Sequence, residues 1–537
     1  MISDQLRVEV QEWIDNDPDK ETAKQLSDWL KEGNSNDLER CFSGFLQFGT
    51  AGLRGPIGPG PSCMNRAVVS RTATAIVEFM KKNHLTSVVI GRDARHGSDQ
   101  FSQDSAEIFS GAGMKTYVLP RALPTPVLAF AINKLKVDVG IMVTASHNPA
   151  TDNGYKVYLG GVVAGVNYRG SQIIPPVDTE ISNLIAKANK NPPRSQDFQT
   201  VNESVIDDYI SSVAALSTTE NNLKVVYTPL HGVGAETFIE VFKRARFASP
   251  ILVTEQVVPD PNFPTTPFPN PEESGSMDMA LEYAKQNKAD VVIANDPDAD
   301  RCAIAVVNSQ GLWQVLRGDE IGVLLGDYLI KKSTDSDTAI ANSLVSSSLL
   351  GKIANKHRLK FEETLTGFKW ISKIDNLLFG YEEALGYCVD QKNVNDKDGI
   401  SAALILVQIV NELKTSGQSI FDYLEKLGSE YGFHRTDQIS IRVTNLNEID
   451  ELLKKVTTTP PQTLLSNALI SYENLSESKM MPTVGVRLNY ENGIRVIIRP
   501  SGTEPKLKCY IEVISSTKNE AENLISQIKQ ALTKVLS

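Results

Sequence analysis

Val143-Thr144-Ala145-Ser146-His147-Asn148-Pro149 ends an apolar run that begins at Val137. The apolar run predicts a buried strand, and Asn148-Pro149 predicts a turn, because Pro149 disfavours an α conformation for Asn148. Ser146 is therefore expected on a loop at the end of a strand, where ligands bind in open α/β sheets. A serine hydroxyl there is either a nucleophile, which needs a metal or a base beside it, or part of a turn that satisfies its own backbone.

The composition is that of an ordinary globular protein. The 537 residues suffice for three or four domains, and hydrophobic residues make up 41% of the chain. The net charge of −11 argues against a nucleic-acid partner. The N-terminus is charged and amphipathic, and no long apolar run occurs, so we expect neither a signal segment nor a membrane span. The five cysteines form no zinc or CxxC spacing, which favours reduced thiols in the cytoplasm.

Apolar runs alternate with helical patterns along most of the chain. The runs at 87–90, 115–119 and 138–143 belong to a first β/α series, a second starts at Leu223, and a third covers 317–431. This alternation predicts α/β domains with mixed or mostly parallel sheets and helices on their faces.

The C-terminal part has a different pattern. Apolar and polar residues alternate at 438–443 and 493–498, which predicts an antiparallel sheet. Helices near 447–455 and 518–536 are expected to cover one of its faces.

Two features follow the serine stretch. Asn153-Gly154 is a hairpin signal, so Lys156 is expected on a strand that returns past Ser146. The glycine-rich stretch 160–170 is expected to be an extended surface loop.

Asp296, Asp298 and Asp300 follow the apolar run Ala289–Ala294. Alternate residues of an extended segment point the same way, so the three carboxylates are expected to converge on one side. Carboxylates that close repel one another unless a hard cation such as Mg²⁺ lies between them. The alternative is a solvated acidic turn.

Two further loops have the chemistry of phosphate sites. Arg54 lies in a glycine-rich stretch and is either a phosphate ligand or a solvated side chain of a flexible loop. Arg499, Ser501, Gly502 and Thr503 form either a phosphate cradle or a plain turn. The GxxxxGK[ST] pattern of a nucleotide-binding P-loop does not occur in the sequence.

Three other polar residues allow more than one interpretation. Glu382, followed by Glu383, is either a ligand for hydroxyl groups or half of a solvated pair. His147 and His231 have no obvious partner in the sequence, and a lone histidine is more often structural than catalytic.

Four motifs in this order resemble those of the α-D-phosphohexomutase superfamily: Thr144-Ala145-Ser146-His147-Asn148-Pro149, Asp296-Pro297-Asp298-Ala299-Asp300-Arg301, Gly380-Tyr381-Glu382-Glu383-Ala384 and Arg499-Pro500-Ser501-Gly502-Thr503. The resemblance covers nearly the whole chain. It implies three mixed-sheet α/β domains and a C-terminal α+β domain with an antiparallel sheet, arranged around a central cleft. The expected domain bounds are 1–202, 203–314, 315–431 and 432–537.

The resemblance also implies a reaction, a reversible phosphoryl transfer between the 1-position and the terminal hydroxyl of a sugar phosphate. It would proceed through a phosphoserine and a sugar 1,6-bisphosphate, which also serves as activator. The resemblance implies a monomer or homodimer with no nucleic-acid or membrane partner. Mg²⁺ is implied at Ser146, Asp296, Asp298 and Asp300. The implied catalytic residues are Ser146, Lys156, Lys397, Arg54, His147 and Arg301, and the implied substrate-binding residues are Glu382, Gly367, Arg499, Ser501, Gly502 and Thr503.

Lys156 and Lys397 match lysines that the family uses or is proposed to use for proton transfer. Either lysine, if it is buried beside other cations, is expected to have a lowered pKa. Which of the two is the general base stays open.

One departure from the family pattern bears on the substrate. Many hexose mutases have a serine two places after the glutamate that matches Glu382, where this chain has Ala384. With Thr366-Gly367-Phe368-Lys369, the motif looks most like the branch of phosphoglucomutase-type enzymes that also take pentose phosphates. Phosphomannomutase is the alternative. From other classes, a Mg²⁺-dependent sugar phosphatase and a non-catalytic sugar-phosphate sensor are alternatives. The intact serine, aspartates and phosphate loop argue against a sensor.

Overall fold

A computed structural model describes residues 2–48, 52–443, 446–478, 482–500 and 506–536. The chain divides into two compact units. The first consists of Met1–Ala305 and Gly386–Gln408, and the second of Val306–Leu385 and Ile409–Ser537.

The described residues in the N-terminal part of the first unit form seven helices and nine strands. The helices are α1 Asp4–Asn16, α2 Lys20–Glu32, α3 Ser35–Cys41, α4 Arg66–Lys82, α5 Ser98–Gly111, α6 Thr125–Leu135 and α7 Val177–Ile185. The strands are β1 Leu53–Pro56, β2 Ser87–Arg92, β3 Lys115–Val118, β4 Val139–Val143, β5 Asp152–Leu159, β6 Val162–Val163, β7 Val166–Asn167, β8 Ser171–Gln172 and β9 Gln199–Thr200.

The first sheet is mixed, as predicted. Its strand order is β1-β5-β4-β2-β3-β9, with β8 paired to β5. The central strands β4, β2 and β3 are parallel, and β5 returns antiparallel to β4 with Lys156 opposite Met142. All five residues of β4 are buried, because helices cover both faces of the sheet here. The strand therefore ends directly at the Ser146 loop.

Two local predictions around this sheet were wrong. Asn153 and Gly154 lie inside β5, and the turn that precedes it is formed earlier, at 146–151. The stretch 160–170 is not an extended loop, because β6 and β7 pair there as a small antiparallel hairpin. Lys156 nevertheless lies on the returning strand, as expected.

The rest of the first unit is built on a second mixed sheet. Its elements are α8 Glu203–Ala214, β10 Val225–Thr228, α9 Gly234–Arg244, β11 Ile251–Leu252, α10 Asp278–Asn287, β12 Val291–Ala294 and β13 Ala303–Val307. The strand order is β11-β10-β12-β13, with β13 antiparallel to β12. All four residues of β12 are buried, and the three aspartates follow where this strand ends.

The remaining elements follow in chain order. They are β14 Trp313–Val315, α11 Gly318–Lys332, β15 Ala339–Ser343, α12 Leu349–Lys356, β16 Lys360–Thr364, α13 Phe368–Ile371, β17 Leu377–Glu382, β18 Gly386–Cys388, α14 Gly399–Thr415, α15 Ile420–Tyr431, β19 Phe433–Arg442, α16 Leu446–Thr458, β20 Thr463–Leu464, β21 Asn467–Asn474, β22 Val486–Tyr490, β23 Ile494–Pro500, β24 Lys506–Ser515 and α17 Lys518–Leu536. A short 3₁₀ turn, Leu475–Glu477, follows β21.

The second unit contains a parallel core and an antiparallel sheet. Strand β15 lies between β16 and β17 and is parallel to both. The C-terminal sheet has the order β19-β24-β23-β22-β21-β20, and its paired strands are antiparallel. Helices α16 and α17 supply Leu453 and Ile528 to its core. The predicted fold class, three mixed-sheet α/β domains and an α+β domain, is thereby confirmed.

None of the described helices is both long enough and apolar enough to span a membrane.

Candidate functional site

Ser146 begins a tight turn at the end of β4. Its φ is +53°, an uncommon value for a residue with a side chain, and its backbone N–H donates to the Thr144 hydroxyl at 2.9 Å. The side chain is 1% exposed. This local backbone holds the hydroxyl in one direction at the end of the strand.

Arg95 binds the backbone of the serine loop, residues 146–152. Its guanidinium donates to the carbonyl oxygens of Ser146 and Asn148, both at 2.6 Å, and to those of Pro149 and Asp152 at 2.7 and 3.1 Å. The guanidinium also lies 4.9 Å above the centre of the Phe263 ring. A planar fork with five N–H donors is suited to several carbonyls at once, so one buried side chain fixes the whole loop.

The three aspartates lie on a turn and not on an extended segment, so the predicted reason for their convergence was wrong. Ala299 has φ +55°, and the Ala299 N–H donates to the Asp296 carbonyl at 2.8 Å. The turn is supported from outside, because Gly232 packs directly against Pro297 and Val233 N–H donates to the Pro297 carbonyl at 2.8 Å.

The serine loop and the aspartate turn meet. The Ser146 hydroxyl donates to Asp296 Oδ2 at 2.6 Å. One carboxylate oxygen from each aspartate lies within 4.8 Å of the others, and all three side chains are buried. The solvated acidic turn is therefore ruled out.

Lys156 lies between two of these carboxylates. Its Nζ is 2.8 Å from both Asp298 Oδ2 and Asp300 Oδ2, and Lys397 Nζ is 3.3 Å from Asp300 Oδ2. Burial acts to lower the pKa of Lys156, but Asp298 and Asp300 outweigh it and the pKa is raised. The expectation of a lowered pKa for Lys156 was therefore wrong, because its nearest charges are carboxylates.

The aspartates divide into two kinds. Burial, followed by the charges of Asp298 and Asp300, raises the pKa of Asp296 well above its ordinary value. Burial acts in the same direction on Asp298 and Asp300, but the adjacent Lys156 outweighs it and their pKa values are lowered. The lowered pKa values favour the ionised form of Asp298 and Asp300. Asp296, which accepts a hydrogen bond from the Ser146 hydroxyl, is the one of the three that most readily holds a proton.

Three more predicted residues surround the serine. His147 Nδ1 is 3.2 Å from the Ser146 hydroxyl oxygen. Burial, with the charges of Arg301 and Arg54, lowers the pKa of His147 well below its usual value, so the ring is neutral. Arg54 is 3.4 Å from the Asn148 amide oxygen, and Arg301 pairs with Glu272 at 3.2 Å. The structure thus brings together all six predicted catalytic residues.

The donor set fits a hard divalent cation. Within the described part of the chain, Oδ1 of Asp298 and Oδ1 of Asp300 are buried and have no hydrogen-bond partner. A buried carboxylate oxygen without a partner is costly, and carboxylate oxygens are the ligands that Mg²⁺ prefers. Asp296, Asp298 and Asp300 are the residues that would hold such an ion.

The predicted sugar-binding residues lie in the second unit. Gly367 N–H donates to Glu382 Oε1 at 2.6 Å, which fixes the orientation of this carboxylate. Glu383 accepts from the hydroxyl groups of Ser343 and Ser346 at 2.9 and 3.3 Å, so it is not half of a solvated pair.

The predicted phosphate loop is described only at its start. Arg499 lies in β23, paired with Lys508 of β24, and its Nε is buried. Ser501, Gly502 and Thr503 lie outside the described residues.

His231 has the structural role that the sequence analysis gave as an alternative. It is 2% exposed, and its Nε2 is 2.8 Å from the Thr265 hydroxyl, on the far side of the turn that supports Pro297.

Two residues of the site were missed at the level of sequence. In the sequence, Arg95 is one charged residue after β2. Its role has no sequence signal, because its four acceptors are backbone carbonyls. Thr125 is the first residue of α6, and it donates to Asp298 twice: its hydroxyl to Oδ2 at 2.7 Å and its N–H to the backbone carbonyl at 2.9 Å. The only signal was Thr125-Pro126, which marks a helix start.

Models of one family match four consecutive parts of the chain. The Phosphoglucomutase/phosphomannomutase alpha/beta/alpha domains I, II and III match residues 46–192, 207–310 and 317–431, and the C-terminal domain of the same family matches 439–530.

Individual proteins show the same similarity. The chain is 43% identical over 479 residues to a Haemophilus influenzae protein named "Probable phosphomannomutase", covering 88% of this chain and 98% of the relative. It is 34% identical over 591 residues to the Homo sapiens phosphopentomutase, covering 99% and 95%. A crystal structure of the phosphoglucomutase parafusin from Paramecium shares the fold at 18% identity, with a TM-score of 0.69 over 91% of this chain and 95% of that one.

Arg95→Lys is expected to loosen the serine loop. An ammonium cannot reach four carbonyls, so amide exchange at 146–152 should accelerate and turnover should fall by about 100-fold, as for a misplaced reacting group. Hydrogen exchange and steady-state kinetics measure the two effects. Arg92→Lys is the matched control, since Arg92 contacts a single carbonyl, that of Asp93. Equal behaviour of the two variants would contradict the role of Arg95.

Thr125→Val is expected to weaken divalent-cation binding by roughly tenfold, because outer hydrogen bonds orient metal-ligating carboxylates. Titration calorimetry with Mg²⁺ measures it. Thr125→Ser keeps the hydroxyl and should bind nearly as the natural protein does. Unchanged affinity in the valine variant would remove Thr125 from the site.

Proposed function

The chain belongs to the α-D-phosphohexomutase superfamily, and we propose that its Ser146 carries the phosphoryl group in a reversible transfer between the 1-position and the terminal hydroxyl of a sugar phosphate. The observation that carries the proposal is the 2.6 Å contact between the Ser146 hydroxyl and Asp296, beside two further buried carboxylates. A serine hydroxyl at its ordinary pKa is a weak nucleophile, and this setting supplies both a base and a cation site.

In the first half-reaction, the bond between phosphorus and Ser146 Oγ breaks and a bond to a sugar hydroxyl oxygen forms. The hydroxyl gives up its proton, and the freed Ser146 Oγ takes one. A sugar bisphosphate results, a 1,6-bisphosphate in the case of glucose, and it returns its other phosphate to Ser146 after turning over. Asp296, Asp298 and Asp300, together with the Ser146 side chain, would hold Mg²⁺. The bound ion would compensate the charge on the phosphoryl oxygens.

The basic residues of the site have different parts in this scheme. Arg54 and Arg301 offset the charge that spreads over the phosphoryl oxygens during transfer. The neutral His147 ring, 3.2 Å from Ser146 Oγ, is placed to exchange a proton with that oxygen. Lys156 Nζ is 2.8 Å from both Asp298 and Asp300, and Lys397 Nζ is 3.3 Å from Asp300 and 3.9 Å from Asp396. Both lysines are candidates to exchange a proton with the sugar.

We assign substrate recognition to residues of the second unit. We assign the sugar hydroxyls to Glu382, oriented by Gly367, and the phosphate that does not react to Arg499, Ser501, Gly502 and Thr503. Glucose 1-phosphate and glucose 6-phosphate are the proposed substrates, together with pentose phosphates, since Ala384 lacks the hydroxyl found in many hexose mutases. The relative named as a phosphomannomutase supports mannose phosphates as the alternative.

Three further proposals concern the activator, the compartment and the oligomeric state. A sugar 1,6-bisphosphate primes Ser146, and the enzyme works in the cytoplasm as a monomer or homodimer. The five free cysteines support a reducing compartment.

Ser146→Ala is expected to abolish isomerisation. The natural protein, with Mg²⁺ and a trace of glucose 1,6-bisphosphate, should isomerise at least one of glucose 1-phosphate, mannose 1-phosphate and ribose 1-phosphate. Coupled assays measure the isomer formed, and a phosphate assay runs alongside.

Thr151→Ala is the control, since its hydroxyl is exposed in the same loop and, among the described residues, donates to Asp152 alone. Release of inorganic phosphate without an isomer would identify a phosphatase instead. Isomerisation that survives in Ser146→Ala would exclude the phosphoserine mechanism.

Ala384→Ser is expected to shift the enzyme toward hexoses. A new hydroxyl beside Glu382 adds a hydrogen bond to a hexose hydroxyl, so the ratio of kcat/KM for glucose 1-phosphate to that for ribose 1-phosphate should rise about tenfold. Ala384→Cys is similar in size and hydrogen-bonds weakly, so it should leave the ratio nearly unchanged. Equal ratios in all three proteins would show that position 384 does not select the sugar.

A further inference from the structure

Two of the five cysteines lie against each other. The sulfur atoms of Cys41, the last residue of α3, and Cys63, in the loop before α4, are 4.0 Å apart. Cys41 is fully buried and Cys63 is 2% exposed. The other three, Cys302, Cys388 and Cys509, are buried singly in other parts of the chain.

The backbone holds the two thiols in this position. Ser62 N–H donates to the Cys41 carbonyl at 3.1 Å, next to Cys63 in the chain. The Asn65 side chain donates to the carbonyls of Gly58, Gly60 and Cys63, at 2.9, 2.7 and 3.3 Å. Both segments are therefore fixed side by side, and closing the remaining distance needs side-chain rotation and only a small backbone shift.

The turn after α3 contacts the Cys63 segment partly through solvent-exposed groups. The hydroxyl oxygens of Ser43 and Ser62 are 3.2 Å apart, the Ser62 hydroxyl donates to the Gly44 carbonyl at 2.9 Å, and Leu46 N–H donates to the Pro61 carbonyl at 3.0 Å. Phe45 in the same turn is 40% exposed. Exposed hydrogen bonds of this kind open locally at small cost, which gives a small oxidant access to the sulfurs.

We propose that Cys41 and Cys63 form a reversible disulfide when the folded protein meets a peroxide. The proposal is independent of the phosphoryl-transfer function, because it rests on the thiol pair alone.

The chemistry balances with hydrogen peroxide as the oxidant. The Cys41 thiolate attacks one peroxide oxygen, which gives a sulfenic acid and hydroxide, and the hydroxide takes the proton that Cys41 had lost. The Cys63 thiol then attacks the Cys41 sulfur, the S–O bond breaks, and a second water leaves. Two thiols and one peroxide become one disulfide and two waters. A hydrogen bond from Cys63, helped by the charge of Arg40, lowers the pKa of Cys41 against the effect of its burial, which favours Cys41 as the attacking thiol.

The bond would close a ring around residues 41–63. Strand β1 lies in this ring and carries Arg54, whose guanidinium contacts Asn148 of the serine loop. Oxidation is therefore expected to restrict the motion of residues 41–63, which reach the site through Arg54, without chemically changing any residue of the site.

Peptide mapping of the full-length protein tests the proposal. The protein is treated with hydrogen peroxide under native conditions, quenched with catalase, alkylated with N-ethylmaleimide and digested. The expected product is a Cys41–Cys63 linked peptide that dithiothreitol removes, with Cys302, Cys388 and Cys509 recovered as N-ethylmaleimide adducts. In Cys63→Ser, dimedone should trap a sulfenic acid at Cys41, and Cys302→Ser should form the linked peptide as the natural protein does.

Hydrogen exchange gives a second readout that needs no variant. Amides of residues 42–62 should exchange several-fold more slowly in the oxidised protein than after dithiothreitol. A linked peptide that appears only in urea, alkylation of both thiols after peroxide treatment, or unchanged exchange in this segment would each overturn the proposal.

Discussion

Three carboxylates buried within 4.8 Å of one another are the constraint on which the site of the first unit depends. Like charges at this distance, away from water, cannot all be ionised unless cations offset them. The positive charge of Lys156 lies beside two of these carboxylates, and a proton on Asp296 or a bound cation offsets the negative charge of the third. The chemistry proposed for Ser146 depends on the same charges, because its hydroxyl donates to Asp296, the one of these three aspartates whose pKa is raised.

The fold meets this constraint by ending two buried strands at the same place. Strand β4 delivers the serine loop and β12 delivers the aspartate turn, and each turn is then fixed by groups outside it. Arg95 binds the carbonyls of the serine loop, and Thr125 binds both the side chain and the backbone of Asp298. These supports allow two turns with left-handed residues, Ser146 and Ala299, to keep one geometry.

Local patterns of the sequence predicted the elements and the contents of the site, but not the contacts between distant segments. The buried runs that became β4 and β12 were readable because their residues are apolar throughout, and the serine and aspartates stand directly after them. The aspartate turn was mistaken for an extended segment because the left-handed conformation of Ala299 has no signature in an alanine. The pKa of Lys156 was predicted in the wrong direction because its carboxylate partners lie 142 and 144 residues away. Arg95 escaped notice because backbone carbonyls leave no trace in a sequence.

The position of Lys156 limits how the first two domains of this chain can be separated or exchanged. The lysine belongs to the part matched by family domain I, and both of its carboxylate partners belong to the part matched by domain II. Neither part alone can pair this lysine with these carboxylates, so each would lose the partner of a buried charge. The first two domains therefore depend on each other. A chimera that takes one of them from a relative is expected to fold only where the relative supplies the matching lysine or the matching carboxylates.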